Sequence, residues 1–120
     1  MDTKYPEDLI LYRRQYLMTV CSDALHTFGL TAQTIKAIEE LAELQVEIAK
    51  TLNLNHRKDC FRDEIADVEI LIQQMKMAYF PTWESLQAYE EHKMFKLESL
   101  ENAIKLKREK IENKTPCNES

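Results

Sequence analysis

Apolar positions recur at intervals of three and four residues through most of the chain, and strict alternation is nowhere sustained, so the pattern predicts helices and no strands. The first run carries Leu9, Tyr12, Tyr16, Val20, Ala24 and Phe28 at helical spacing. Pro6 suits a first turn, with Glu7 and Asp8 favourable at the helix N-terminus, and Gly29 is expected to cap the end in a left-handed conformation. Thr31 is the expected N-cap of a second helix that reaches about Leu52. On it Ile35, Ile38, Leu41, Leu44, Ile48 and Leu52, with Ala42 and Ala49, form a broad apolar arc. Gln33, Lys36, Glu39, Glu40, Glu43, Glu47 and Lys50 share the rest, which taken alone reads as a solvent-facing surface.

Residues 53–58 read as a loop and Asp59 as the cap of a third helix, which Pro81 stops near Tyr79 or Phe80. Phe61, Ile65, Val68, Leu71, Ile72 and Met75 form its apolar stripe. Glu64 falls inside that stripe and Asp67 on its border, where a solvated-face account does not put an acid, because a buried carboxylate needs a partner. Ala66, Ile70 and Met77 make the opposite side apolar too, as a central bundle helix or a subunit contact requires. Thr82 caps a fourth helix from Trp83 to about Asn113, striped by Leu86, Tyr89, Lys93, Leu97, Leu100, Ile104 and Ile111. The expected fold is all-α: one four-helix bundle-like domain over residues 1–120, with its core at about 6–113 and a polar tail at 114–120.

Composition narrows the function classes. A chain of 120 residues makes one domain, small enough for oligomerisation to help it. A net charge of −5 without a basic stripe argues against non-specific nucleic-acid binding. No apolar run approaches 18 residues and no signal-peptide pattern opens the chain, so a cytoplasmic protein without a membrane segment is expected. Cys21, Cys60 and Cys117, with His26, His56 and His92, lack the spacing of a zinc site or disulfide framework. Tyr12, Tyr16, Phe28, Trp83 and Tyr89 are expected in the core. Met75 and Met77 are read as packing and His26 as a cation at a helix C-terminus.

The carboxylates carry the candidate chemistry. Glu40/Glu43 and Glu64/Asp67 are each three residues apart on a helix, hence same-face neighbours, and two such pairs on consecutive helices can aim four acids at one point. Four converging carboxylates do not stay ionised together without cations. All-oxygen ligation selects Mg²⁺ or Mn²⁺ over zinc or copper, and Mg²⁺ takes substrate phosphates as further ligands. The implied substrate is a nucleoside di- or triphosphate, attacked by a metal-activated water with a carboxylate as base. A di-iron bundle would ask for Glu-x-x-His pairs, which these two helices lack.

At these residues the sequence resembles the MazG-like, all-α nucleoside triphosphate pyrophosphohydrolases, whose pattern is Glu-Glu-x-x-Glu on one helix and Glu-x-x-Asp on the next. Here the first half is Glu39-Glu40-Leu41-Ala42-Glu43 and the second Glu64-Ile65-Ala66-Asp67, flanked by Gly29 and Gln33 upstream and Val68-Glu69-Ile70 downstream. The resemblance covers about residues 25–100. It implies cleavage between the α- and β-phosphates to a nucleoside monophosphate and pyrophosphate, with Glu40, Glu43, Glu64 and Asp67 holding Mg²⁺. Glu39 would support them or orient the attacking water. Lys93 and Lys96 match the family's phosphate-contacting lysine, although Leu97 and Ser99 stand where Asn or Arg is usual. Lys36, Lys50, Arg57 and Lys58 are further basic candidates near phosphate. The resemblance also implies a homodimer or homotetramer. The competing expectations are a non-enzymatic helical interaction module whose acids answer a basic partner, and a family member that binds nucleotide or metal without turnover.

Overall fold

The computed structural model describes the backbone of residues 5–53 and 58–118, and the side chains of 7–53 and 61–114. Four helices account for the regular structure there: α1 (Tyr5–Phe28), α2 (Leu30–Lys50), α3 (Lys58–Tyr79) and α4 (Trp83–Asn118). There is no strand among the described residues, so the chain is all-α. None of these helices is long and apolar enough to cross a membrane. The chain divides into two compact units, Met1–Pro81 and Thr82–Ser120.

In the first unit Gly29 alone separates α1 from α2. Its amide donates to Leu25 O at 3.0 Å, and its carbonyl accepts from Gln33 N at 3.1 Å, so one residue closes one helix and opens the next. The backbone there has φ +87° and ψ 155°. That differs from the expected left-handed cap, whose ψ lies near +47°; it is an extended mirror conformation essentially restricted to glycine. Gly29 is therefore the N-cap of α2, and Thr31 sits inside its first turn. The α2 helix ends at Lys50, two residues short of the expected Leu52, where Thr51 N and Thr51 Oγ1 both donate to Ile48 O. Residues 54–57, with His56 and Arg57, lie outside the described residues, as do residues 1–4 and the side chains of Pro6, Lys58, Asp59, Cys60 and Cys117. The α3 helix begins at Lys58, which makes Asp59 its second residue and not its cap.

The broadest helix contact is α2 against α3, and it reverses the expected orientation of α2. The buried residues of α2 are Ala37 and Glu40, with Gln33, Thr34, Leu44 and Glu47 half-buried beside them. Ile35, Ile38, Leu41 and Ile48 of the apolar arc are exposed, Ile38 at 64%. Small Ala37 permits close approach to α3, and polar ties fix the pair: Gln33 Nε2 donates to Gln74 Oε1 at 2.7 Å, and Thr34 Oγ1 reaches Met75 Sδ at 3.9 Å. From α3, Leu71 and Gln74 are buried and Phe61, Glu64, Val68, Met75 and Ala78 half-buried, which follows the expected stripe apart from exposed Ile65 and Ile72. The α1 helix joins through Cys21, 1% exposed, whose thiol donates to Ile70 O at 3.6 Å, and through Met18 Sδ, which accepts from Gln73 Nε2 at 3.2 Å. His26 lies in its last turn with Nδ1 2.8 Å from Ser22 O.

The expected aromatic core does not form: Tyr12, Tyr16, Phe28 and Trp83 are all more than half exposed. Each of the three helices of the first unit turns one stripe inward, and the remaining apolar positions on all-round apolar helices face out. Buried apolar residues reduce to Cys21, Ala37 and Leu71 among the described residues.

The second unit is α4, opened by the expected Thr82. Thr82 Oγ1 accepts from Ser85 N at 3.1 Å while Thr82 N donates to Ser85 Oγ at 3.1 Å, a reciprocal cap. The helix continues to Asn118, beyond Asn113 and through most of the expected polar tail, because the Lys/Glu-rich run before Pro116 favours helix. The stripe residues Leu97, Leu100, Ile104 and Ile111 are exposed.

The Gly29 corner makes a test. A Cβ built there meets nothing within 4 Å, so only the backbone conformation opposes a side chain. Gly29→Ala is expected to lower unfolding free energy by about 1–3 kcal/mol in a urea titration followed by circular dichroism. An unchanged midpoint would contradict the assigned conformation.

Candidate metal centre

Glu40 and Glu43 lie one turn apart on the α2 face that meets α3, and Glu64 faces them from the inward stripe of α3. One carboxylate oxygen from each comes within 4.8 Å of the other two. Glu40 is 8% exposed, Glu64 half-buried and Glu43 exposed, so the triad runs from the helix contact out to solvent. Lys36 Nζ lies 3.5 Å from Glu40 Oε1, but Lys36 is largely exposed and such a pair gives little compensation. Among the described residues Glu40 Oε2 and Glu64 Oε2 are shut off from solvent and accept no hydrogen bond.

That is an unfavourable state for carboxylates, and the protonation of Glu64 registers it. Burial, followed by the charges of Glu43, Glu40, Asp67 and Glu47, holds the Glu64 carboxyl above its ordinary value. Asp67 stands beside the triad, exposed, and shares with Glu40 the lining of a cavity on that side. Glu43, Glu47 and Glu64 also line a recess of about 300 Å³ with Ala42 and Val46. Glu47, which pairs with Lys50 at 3.3 Å, is the acid that the motif spacing left out. Its signal was present in the sequence, since Glu40, Glu43 and Glu47 are spaced three and four residues apart and so share one helix face.

The sequence-derived residues thus separate. Glu40, Glu43 and Glu64 come together, with Asp67 adjacent. Glu39 is exposed and outside the triad, as its position about 100° round the helix from Glu40 dictates. Lys93 and Lys96 are exposed on α4, in the second unit.

The donor set suits a hard divalent cation. It is all oxygen and negatively charged, and two of its oxygens lack any other partner. Ligands on opposite sides of Mg²⁺, at about 2.1 Å each, stand about 4.2 Å apart, so small side-chain rotations would close the triad on one ion. No family model, curated protein or solved structure matches this chain.

The raised Glu64 fixes the sign of a pH effect. Between the ordinary carboxyl value and the raised one, the native state binds more protons than the unfolded state, so stability falls as pH rises through that window. In metal-free buffer the thermal midpoint should drop as pH rises above the ordinary carboxyl range. Glu64→Gln should flatten part of that slope and melt higher than the parent at pH 7. A Gln variant that melts lower at pH 7 would contradict the assigned strain.

Proposed function

We propose that the protein is a Mg²⁺-dependent nucleoside triphosphate pyrophosphohydrolase of the MazG-like kind, releasing a nucleoside monophosphate and pyrophosphate. The observation that carries this reading is the triad: three carboxylates with oxygens within 4.8 Å of one another between two packed helices, two of them with a buried oxygen that has no partner. Glu40, Glu43 and Glu64 would hold the ion, Mn²⁺ serving in place of Mg²⁺, and Asp67, whose charge acts on Glu64, would join them or accept a proton from the attacking water. The ion, when bound, supplies charge neutralisation for the phosphates and acidifies a water. Burial and the neighbouring acids hold the Glu64 carboxyl above its ordinary value, so binding of the ion there would displace its proton. Glu39 takes a secondary role, orienting water.

The reading includes a homo-oligomer, dimer or tetramer. Among the described residues three buried apolar side chains make a small core, while Ile35, Ile38, Leu41 and Ile48 form an exposed apolar face on α2. A second copy of the chain, meeting that face with its own, would complete the bundle.

A screen of triphosphates with Mg²⁺, reading pyrophosphate, should find at least one substrate. Glu64→Gln and Glu40→Gln should each lower turnover about 100-fold or more with helicity kept; full turnover in both would remove the assignment. Sedimentation equilibrium should return a mass at least twice 14.2 kDa, falling toward the single-chain value in Ile38→Asp. A parent chain that sediments as a monomer would end the oligomer.

A further inference from the structure

Gln74 is 3% exposed on the inward stripe of α3, a position that packing alone would fill with an apolar residue. It accepts from Gln33 Nε2 across the α2–α3 contact, and among the described residues its own Nε2 has no acceptor. Both glutamines line a cavity of about 410 Å³. Its lining is apolar at Phe28, Ile70 and Leu71 and also includes Lys36, Glu40 and Asp67, so it reaches the acid cluster. The volume falls in the range of small-molecule sites, about 300–1,000 Å³.

A cross-helix tie explains one hydrogen bond, not two amides. The pair spends one donor and one acceptor on each other and leaves Gln74 Nε2 and Gln33 Oε1 for something else. Reversing both amides leaves the same combination, one nitrogen and one oxygen. An adjacent donor and acceptor at the wall of an apolar slot complement the hydrogen-bonding edge of a planar heterocycle. Phe28, an exposed aromatic on that lining, offers a stacking face. Because the slot shares Glu40 with the triad, a ring seated there has its attached polyanion directed to the metal side.

We propose that this cavity is the nucleobase pocket, with Gln33 and Gln74 reading the base edge and Phe28 covering the ring. The identity of the occupant rests on the pyrophosphohydrolase reading. The donor–acceptor slot itself stands on the geometry of the two amides.

The test titrates the ¹⁵N-labelled 120-residue chain, in EDTA, with adenosine, guanosine, cytidine, uridine and thymidine. The side-chain amide signals of Gln33 and Gln74 are assigned by their loss in Gln33→Leu and Gln74→Leu, with Gln74→Met as a second choice should Leu fail to fold. At least one nucleoside is expected to move both pairs of signals at millimolar concentration, without metal and without phosphate. In turnover, Gln33→Leu should narrow the spread of kcat/KM among triphosphates about tenfold while leaving the thermal shift caused by Mg²⁺ in place. Glutamine signals that respond to no nucleoside would overturn the pocket, even where pyrophosphate release continues. Nucleosides that move those signals in a protein releasing no pyrophosphate would uphold the pocket and remove the hydrolase. Shifts caused by raising protein concentration alone would overturn it in favour of a second copy as occupant.

Discussion

The α2–α3 contact is organised around mutual repulsion of carboxylates. Glu40 is among the most buried residues of α2, Glu64 faces it, and neither Oε2 finds a donor among the described residues. Helix pairs ordinarily close on Leu, Ile and Val. Here the buried apolar residues are Ala37 and Leu71, the tie between Gln33 and Gln74 holds the register, and the acids follow one turn further along α2. Desolvating charge in a contact with so little apolar area lowers stability unless a cation offsets it. A divalent ion is the economical answer, because it neutralises two charges at one point and satisfies the orphaned oxygens together.

The same constraint explains the outward apolar faces. A helix carrying both an acid row and an apolar arc can turn only one of them toward a given neighbour. With the acids of α2 turned to α3, Ile35, Ile38, Leu41 and Ile48 are left for contacts that the single chain does not supply. The proposed oligomer and the proposed metal centre are thus two outcomes of one rotational choice. The amide-lined cavity adjoins the centre through Glu40, so the proposed binding of a base and of its phosphates would depend on the same packing of α2 on α3.

The parts of this arrangement differ in how far the sequence revealed them. Helix number and most boundaries were legible, because periodicity and the punctuation by Pro81, Thr82 and Gly29 are local. The oddity of Glu64 was legible too: an acid among Val68, Leu71 and Met75 breaks the helical pattern by itself. Its partners on α2 were legible as spacing but not as orientation. Glu40 and Glu43 belong to an ordinary polar arc, and which arc turns inward is decided by α3, not by α2. The aromatic residues misled for a related reason. Tyr12, Tyr16 and Phe28 have the spacing of a core stripe, yet a helix apolar on several sides gives no local sign of which side finds a neighbour. At Gly29 the need for positive φ was readable, but the mirror conformation that lets one residue join two helices depends on where α2 must start.

Paramagnetic broadening by Mn²⁺ in an amide-resolved NMR spectrum examines the central claim most directly. Substoichiometric Mn²⁺ should first erase the signals around residues 40–47 of α2 and 61–68 of α3, and Mg²⁺ should restore them by competition. Broadening spread evenly over exposed acids such as Glu39, Glu69 and Glu98, or none at all near Glu64, would contradict a cation site between these helices.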